Sequence, residues 1–428
     1  MEHLNFTTEL LGLKDKNIQI DAINTLSTHK EILAKLDYDA PLCPQCKGKT
    51  AKYDMQKPSR IPFLEVAGMK TVILLKKRRF KCKDCNRVFV AQTPLVKKNH
   101  QISEPTRFKI LEKLHSGDSL THISKELGVS TTTVYRKLKQ IDIKNSATTL
   151  PKHLAWDEFA FMKGKMSFIA QDFDTNRIIT ILDGRTEATV KQFFYRFSYK
   201  ERAKVETLTT DMYHPYILLA KKLFPNAKII LDRFHIIQHL GRAFNQTRIQ
   251  MMNRLDRKSK LYKAIKRYWK LLQQDSKRLN HKRFYRPLFR QHLTNKEIVD
   301  WITSQDDDLN FYYELYQMLL AHYSQKDYKL FFELIQANYH DVNPRFKTTF
   351  DTFKKYKNEI KNAFELPYSN AKIEATNNLI KVIKRTAYGF RNFINFKKRI
   401  FLAINYKITS EPIILSRERK EKRIANHS

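Results

Sequence analysis

Two C-x-x-C cysteine pairs, a short helix-turn-helix pattern, and three closely spaced strands followed by alternating helix and strand together predict a multi-domain protein. The expected order is a zinc-binding finger, a helix-turn-helix, and an α/β domain carrying a long all-helical insertion. The chain has 428 residues, 42% of them apolar or aromatic, enough to bury the cores of about two to four domains. Glycine (9) and proline (13) are scarce, so the boundaries rest on changes of pattern rather than on linkers. The segments are an N-terminal helical stretch (1–40), the zinc-binding region (41–95), a helix-turn-helix (100–145), the α/β domain (151–410) with its insertion (235–366), and a charged tail (411–428).

Lysine and arginine number 80 against 43 acids, a net charge of +37. Self-repulsion of that size is tolerable mainly when a polyanion is the partner, and nucleic acid is the first candidate. No run of about 18 apolar residues exists to span a bilayer, so membrane insertion is not expected. The opening stretch MEHLNFTTELLGLKDKNIQ lacks a basic start, a long apolar core and a cleavage site, so the expected location is cytoplasmic.

The zinc site comes from pairing. Cys43-Pro-Gln-Cys46 and Cys82-Lys-Asp-Cys85 are two knuckles, each able to bite one ion, and together they supply the four thiolates of a tetrahedral structural Zn²⁺. In a reducing compartment four clustered cysteines read as ligands rather than disulfides. The strand-like TVILLKKRRF between the knuckles fits a β-ribbon that mounts both.

The helix-turn-helix occupies SGDSLTHISKELGVSTTTVYRKLK (116–139). Gly128 can take the left-handed turn ending the first helix, Ser130 can cap the second, and Ile123, Leu127, Val134 and Leu138 face inward. Thr131, Thr132, Thr133, Tyr135 and Arg136 then remain, with Ser130, to meet DNA. An ordinary helical hairpin would share the apolar pattern but not the basic context.

The α/β domain begins with HLAWDEFAF (153–161), MSFIAQDF (166–173) and RIITILDG (177–184), spaced as an antiparallel meander. A helical EATVKQFFYRF follows, then VETLTTD (205–211), helical HPYILLAKKLF and AKIILD (227–232). The order βββαβαβ is that of the ribonuclease H-like fold, whose acidic site collects at the ends of adjacent strands. Asp157 lies within the first strand and Asp211 ends the fourth, so the two carboxylates can converge. Glu374 lies on a later helix with Asn377, Asn378 and Lys381 on or near its face. Taken singly, these acids also fit a strand edge, a helix cap and a solvated helix position. Asp232 and His235, a D-x-x-H at the exit of the last strand, fit an accessory catalytic pair and a capping aspartate with a structural histidine about equally.

From 242 to 290 there are sixteen lysines and arginines against Asp256 and Asp275 alone. With Tyr262, Tyr268, Trp269, Phe284, Tyr285 and Phe289 interleaved, the stretch reads as a surface that tracks phosphates, although the aromatics suit a helical core equally well.

Residues 43 to about 406 resemble the bacterial insertion-sequence transposases of the ISL-three family. The resemblance rests on the paired knuckles, WDEFAF around Asp157, TTDMYHPY around Asp211, LDRFH at 231–235, and SNAKIEATNNLIKVIKRTAYGFRNFINFKKRI around Glu374. It implies a DDE-type transposase in which Asp157, Asp211 and Glu374 bind catalytic Mg²⁺, with Mn²⁺ able to substitute. It also implies recognition of terminal inverted repeats by the zinc and helix-turn-helix modules, and a homodimer or larger synaptic assembly on transposon ends and target DNA. Two other readings fit the residues: a zinc and helix-turn-helix regulator without catalysis, and a ribonuclease H-like nuclease that cuts without joining.

Overall fold

The computed structural model describes residues 7–141 and 149–406. The chain divides into two compact units, Met1–Lys144 with Leu379–Ser428, and Asn145–Asn378.

The first unit is built on a six-stranded sheet. β1 (Ile18–Thr25) and β2 (Lys30–Leu36) form an antiparallel hairpin, and β3 (Thr50–Met55), β4 (Ser59–Val66), β5 (Met69–Cys82) and β6 (Val88–Val90) complete the sheet. The long β5 organises it, pairing in parallel with β2 and antiparallel with β3, β4 and β6. Within the N-terminal stretch 1–40, expected to be helical, this corrects the reading of Ile18 to Leu36. Burial there alternates, with Ile18 and Ile20 inside on β1 and Ile32, Ala34 and Leu36 inside on β2, which is the period of a strand. The segment therefore shares one core with the cysteine region through Ile73, Leu75 and Phe80 of β5, and is not a separate module.

Three helices follow: α1 (Glu104–His115), α2 (Leu120–Leu127) and α3 (Thr131–Gln140). Each has a serine N-cap, from Ser103, Ser119 and Ser130. Gly128 ends α2 with φ 62°, a conformation costly for any residue with a Cβ, and so sets the turn into α3. Ser103 is fully buried and also donates to the Pro62 carbonyl at 2.9 Å, which pins α1 to β4.

The second unit opens with the meander β7 (His153–Met162), β8 (Lys165–Asp172) and β9 (Ile178–Leu182). Then come α4 (Glu187–Phe194), α5 (Tyr199–Arg202), β10 (Thr207–Thr210), α6 (His214–Leu223) and β11 (Lys228–Leu231). The sheet order is β11-β10-β7-β8-β9, and β10 runs parallel to both β7 and β11. Trp156 is fully buried, and its ring is packed by Phe168, Phe194, Tyr216 and Phe224 at centroid distances of 5.3, 5.3, 6.2 and 5.6 Å. Because side chains alternate along a strand, burying Trp156 turns its neighbour Asp157 to the other face.

The helical insertion runs through α7 (Arg233–Met252), α8 (Lys260–Arg267), α9 (Trp269–Gln273), α10 (Asn295–Thr303), α11 (Asp307–Ser324), α12 (Tyr328–Ala337), α13 (Pro344–Lys355) and α14 (Lys357–Glu365). It is not all-helical as expected: β12 (Phe284–Arg286) and β13 (Gln291–Leu293) form a short hairpin turned by Arg290 at φ 54°. The interleaved aromatics divide. Tyr268 and Phe289 are core, whereas Phe284 and Tyr285 are exposed on the hairpin.

α15 (Ala371–Thr386) and α16 (Phe393–Asn405) close the chain. By contacts, the chain from Leu379 groups with the N-terminal unit. Leu402 of α16 joins Ile110, Leu114, Ile123, Leu127, Val134 and Leu138 in the three-helix core. Arg399, 2% exposed, donates to the Asp118 carbonyl at 2.7 Å, and burial holds its guanidinium down to about 10. The expected charged tail, 411–428, lies outside the described residues. Among the described residues no helix is long and apolar enough to cross a membrane.

Truncating Leu402 to alanine should cost the three-helix core about 2–4 kcal/mol, the usual effect of a cavity at a buried leucine. Hydrogen exchange would read this as faster amide exchange in α2 and α3, which lie more than two hundred residues away in sequence.

Candidate functional site

The cysteines converge because of strand register. Thr50, just after the first knuckle, pairs with Cys82 at the end of β5, and Val88, just after the second, pairs with Lys81. Each knuckle is followed by a residue with positive φ, Lys47 at 60° and Asn86 at 56°, which closes its turn. The four Sγ atoms lie within 4.8 Å of one another, with Cys43–Cys85 at 3.7 Å and Cys46–Cys82 at 3.5 Å. Tetrahedral zinc with bonds of about 2.3 Å has sulfur–sulfur edges of about 3.8 Å, so the set fits a structural zinc. Amides of Cys46 and Gln45 donate to Cys43 and lower its thiol, while hydrogen bonds from the neighbouring thiols raise Cys46, so the cluster shares its protons.

On the helix-turn-helix segment, Thr131, Thr132 and Arg136 are exposed on α3. Ser130 spends its hydroxyl on the Thr133 amide at 3.2 Å, and Tyr135 accepts from Asn395 of α16 at 3.2 Å. Of the six residues singled out, Ser130 and Tyr135 are thus partly committed to holding the helix.

In the second unit the parallel ladder sets a row of acids. Thr209 pairs with Ala155, and Thr210 with Leu231. Two residues further along β7 and β10, Asp157 stands opposite Asp211; one residue beyond β11, Asp232 stands on the other side of Asp211. Strands lie about 4.8 Å apart, so Asp157, in the middle of β7, stands beside Asp211 and Asp232, which directly follow the carboxyl ends of β10 and β11. Ligand atoms of Asp211, Asp232 and His235 fall within 4.8 Å of one another, and Asp157 and Glu374 lie outside that closest group. His235 Nε2 is 3.1 Å from Asp211 and 4.0 Å from Asp232.

Electrostatics record the crowding. Burial first, then the charges of Asp211 and Asp232, push the Asp157 carboxyl up to about 7. Burial also raises Asp232, to which the charge of Glu374 adds, so Glu374 is near enough to matter although it is exposed on α15. The hydrogen bond to Asp211 raises His235. Two asparagines complete the site. Asn370, 3% exposed, donates to Asp211 at 3.2 Å; Asn377, 6% exposed, donates to Asp157 at 2.7 Å and to the Glu158 carbonyl at 3.3 Å. Beside them opens a cavity of about 290 Å³, lined by Asp157, Asp211, Arg185 and Tyr213 among others, with Arg185 paired to Glu158 at 2.5 Å. Sequence reasoning missed Asn370 and Arg185. The only signal for Asn370 was its place directly before the helix that carries Glu374.

Residues 154–400, more than half of the chain, match a family described as transposase, and residues 39–85 match the zinc-finger of transposases IS204, IS1001, IS1096 and IS1165. The chain belongs to the ISL-three family of transposases. It is 23% identical over 377 residues to the transposase for insertion sequence element IS1001 of Bordetella parapertussis, covering 87% of this chain and 90% of that one. A shorter match, 43% identical over 111 residues, is to a Lactococcus lactis subsp. lactis protein named ATP-dependent protease; it covers 26% of this chain and 36% of that protein. The chain thus spans about a third of the length of that relative.

Two outcomes are expected. Purified protein should hold one zinc per chain, and Cys82→Ser should lose it together with amide protection in β5; full protection in a metal-free sample would contradict the assignment. The folded state keeps a proton on Asp157 that the unfolded chain releases near its ordinary 3.8. Stability in metal-free buffer should therefore fall as pH rises between about 4 and 7, and the penalty should be complete above 7. Asp157→Asn removes that penalty, on the order of 2 kcal/mol after discounting for solvent, and should melt higher than wild type at pH 8 but not at pH 4.

Proposed function

We propose that this chain is the DDE transposase of an insertion sequence, with a ribonuclease H-like second unit in which Asp157, Asp211 and Glu374 hold Mg²⁺. The observation carrying this reading is the register row of Asp157, Asp211 and Asp232. Three carboxyl groups crowded on one face of the sheet can ionise together only at a cost in stability, unless a cation occupies the place between them. A DNA-binding regulator would have no use for that arrangement. Magnesium bound there would supply charge neutralisation of the scissile phosphate and of the attacking and leaving oxygens.

The chain's own groups would do the rest. Asn377 and Asn370, both buried, would fix the rotamers of Asp157 and Asp211, so that their free oxygens face the cavity beside Arg185. Arg185, held by Glu158, would offer donors to a phosphate of the bound strand. His235, whose imidazole is shifted toward its protonated form by the hydrogen bond to Asp211, would sit beside the reacting phosphate with Asp232 as its neighbour; both are accessory positions. The first unit would bind the terminal inverted repeats through α3, with Thr131, Thr132 and Arg136 toward the major groove. Ser130, Thr133 and Tyr135 would hold that helix and contact the backbone. Bringing two ends together requires at least a dimer on the DNA.

The test incubates the protein with Mg²⁺ and DNA bearing the element's ends. Joined products are expected; nicks without joining would instead indicate a nuclease, and binding alone a regulator. Asp157→Asn should lower joining by at least about a thousand-fold while end binding persists. Asn377→Ala should lower the rate less, about ten- to a hundred-fold, with a shift in the Mg²⁺ concentration needed, as expected for a positioning residue. His235→Ala with normal joining would remove His235 from the site.

A further inference from the structure

The first unit contains a cleft of about 1490 Å³ between the zinc knuckles and α3, well beyond the roughly 300–1,000 Å³ of small-ligand pockets. Lys77 reaches it from β5, Arg87 from the second knuckle, Lys97 and Lys98 from the segment before α1, and Arg136 and Lys137 from α3. No aspartate or glutamate lines it. Among the described residues none of these six cations forms an ion pair; Arg79, also in the wall, is paired with Asp54. A merely solvated basic face would intersperse acids and extend its lysines into water. Here Lys77 is half-buried, and burial holds its ammonium below the usual lysine range, so a cation is being kept in place at a cost. Lys137 is lowered as well, by burial first and then by the charges of Arg107, Lys97 and Arg136.

We infer that this cleft receives the sugar-phosphate backbone of the duplex whose major groove α3 enters, so that zinc ribbon and helix-turn-helix form the two walls of one continuous DNA grip. The inference rests on the DNA-binding reading above and adds to it where the ribbon acts. Duplex rather than single-stranded nucleic acid is the occupant, because the only phenyl ring in the lining, Phe89, packs on Phe80 at 5.6 Å, and no tyrosine or tryptophan offers a platform for stacking bases. Zinc matters to recognition for the same reason, since Pro44 and Gln45 of the first knuckle belong to the wall.

The test measures binding of full-length protein to a mixed-sequence duplex over a range of salt concentrations. Backbone contacts carry no sequence information, so the element's end is not required. Lys97→Gln with Lys98→Gln, and separately Arg87→Gln, alter exposed side chains that form no ion pair, and unchanged zinc content and circular dichroism would confirm folding. Each variant should weaken binding about five- to thirty-fold near 0.15 M salt and lower the log–log salt slope by about 0.9 for every phosphate that is no longer neutralised. Wild-type affinity and slope in these ribbon-side variants, with weakened binding in Arg136→Gln, would overturn the shared cleft while leaving α3 as the DNA reader. No change in any of the three would remove DNA binding from this unit altogether. A single strand of equal length competing as well as duplex would also overturn the assignment.

Discussion

The second unit depends on the register between β7, β10 and β11. Parallel pairing of Thr209 with Ala155 and of Thr210 with Leu231 leaves no freedom in where the next residues stand, and they include Asp157, Asp211 and Asp232. A slip of one residue would turn each acid toward the core and Trp156 toward solvent. Burial of Trp156 among four aromatic rings therefore holds the acids on the open face. Hydrophobic packing on one side of the strand maintains electrostatic strain on the other.

The strain is managed from the start of α15. Asn370 and Asn377 place amide donors on Asp211 and Asp157, and their own carbonyl oxygens lack protein partners in the buried layer. The same segment carries Glu374 four residues after Asn370 and three before Asn377. Two helical turns thus supply both the third proposed carboxylate and the donors that orient the first two. From Leu379 the helix belongs to the first unit, where Thr386 donates to the Gly117 carbonyl at 3.0 Å.

In the first unit β5 plays the equivalent part. It carries Cys82 at one end, pairs with four other strands, and presents Lys77 to the cleft beside α3. A knuckle cysteine and a lysine of the cleft thus share one strand, which joins folding of the ribbon to the shape of the cleft.

What the sequence determined by itself was local. The C-x-x-C spacing fixes a knuckle within four residues, Gly128 and Ser130 fix the turn into α3, and the strand runs from 153 to 232 announce themselves by apolar content. Asp157 and Asp211 followed as neighbours from that strand order, whereas Glu374 was legible only through the motif around it. Tertiary structure decided what depends on distant partners. The stretch from Ile18 to Leu36 has apolar residues compatible with either period, and only pairing of β2 with β5 makes it sheet. Completion of the three-helix core by Leu402, the place of Asp232 in the acid row and the donors from Asn370 and Asn377 likewise join residues far apart in the chain. Local periodicity carries no record of register across strands, and register is what assembles this site.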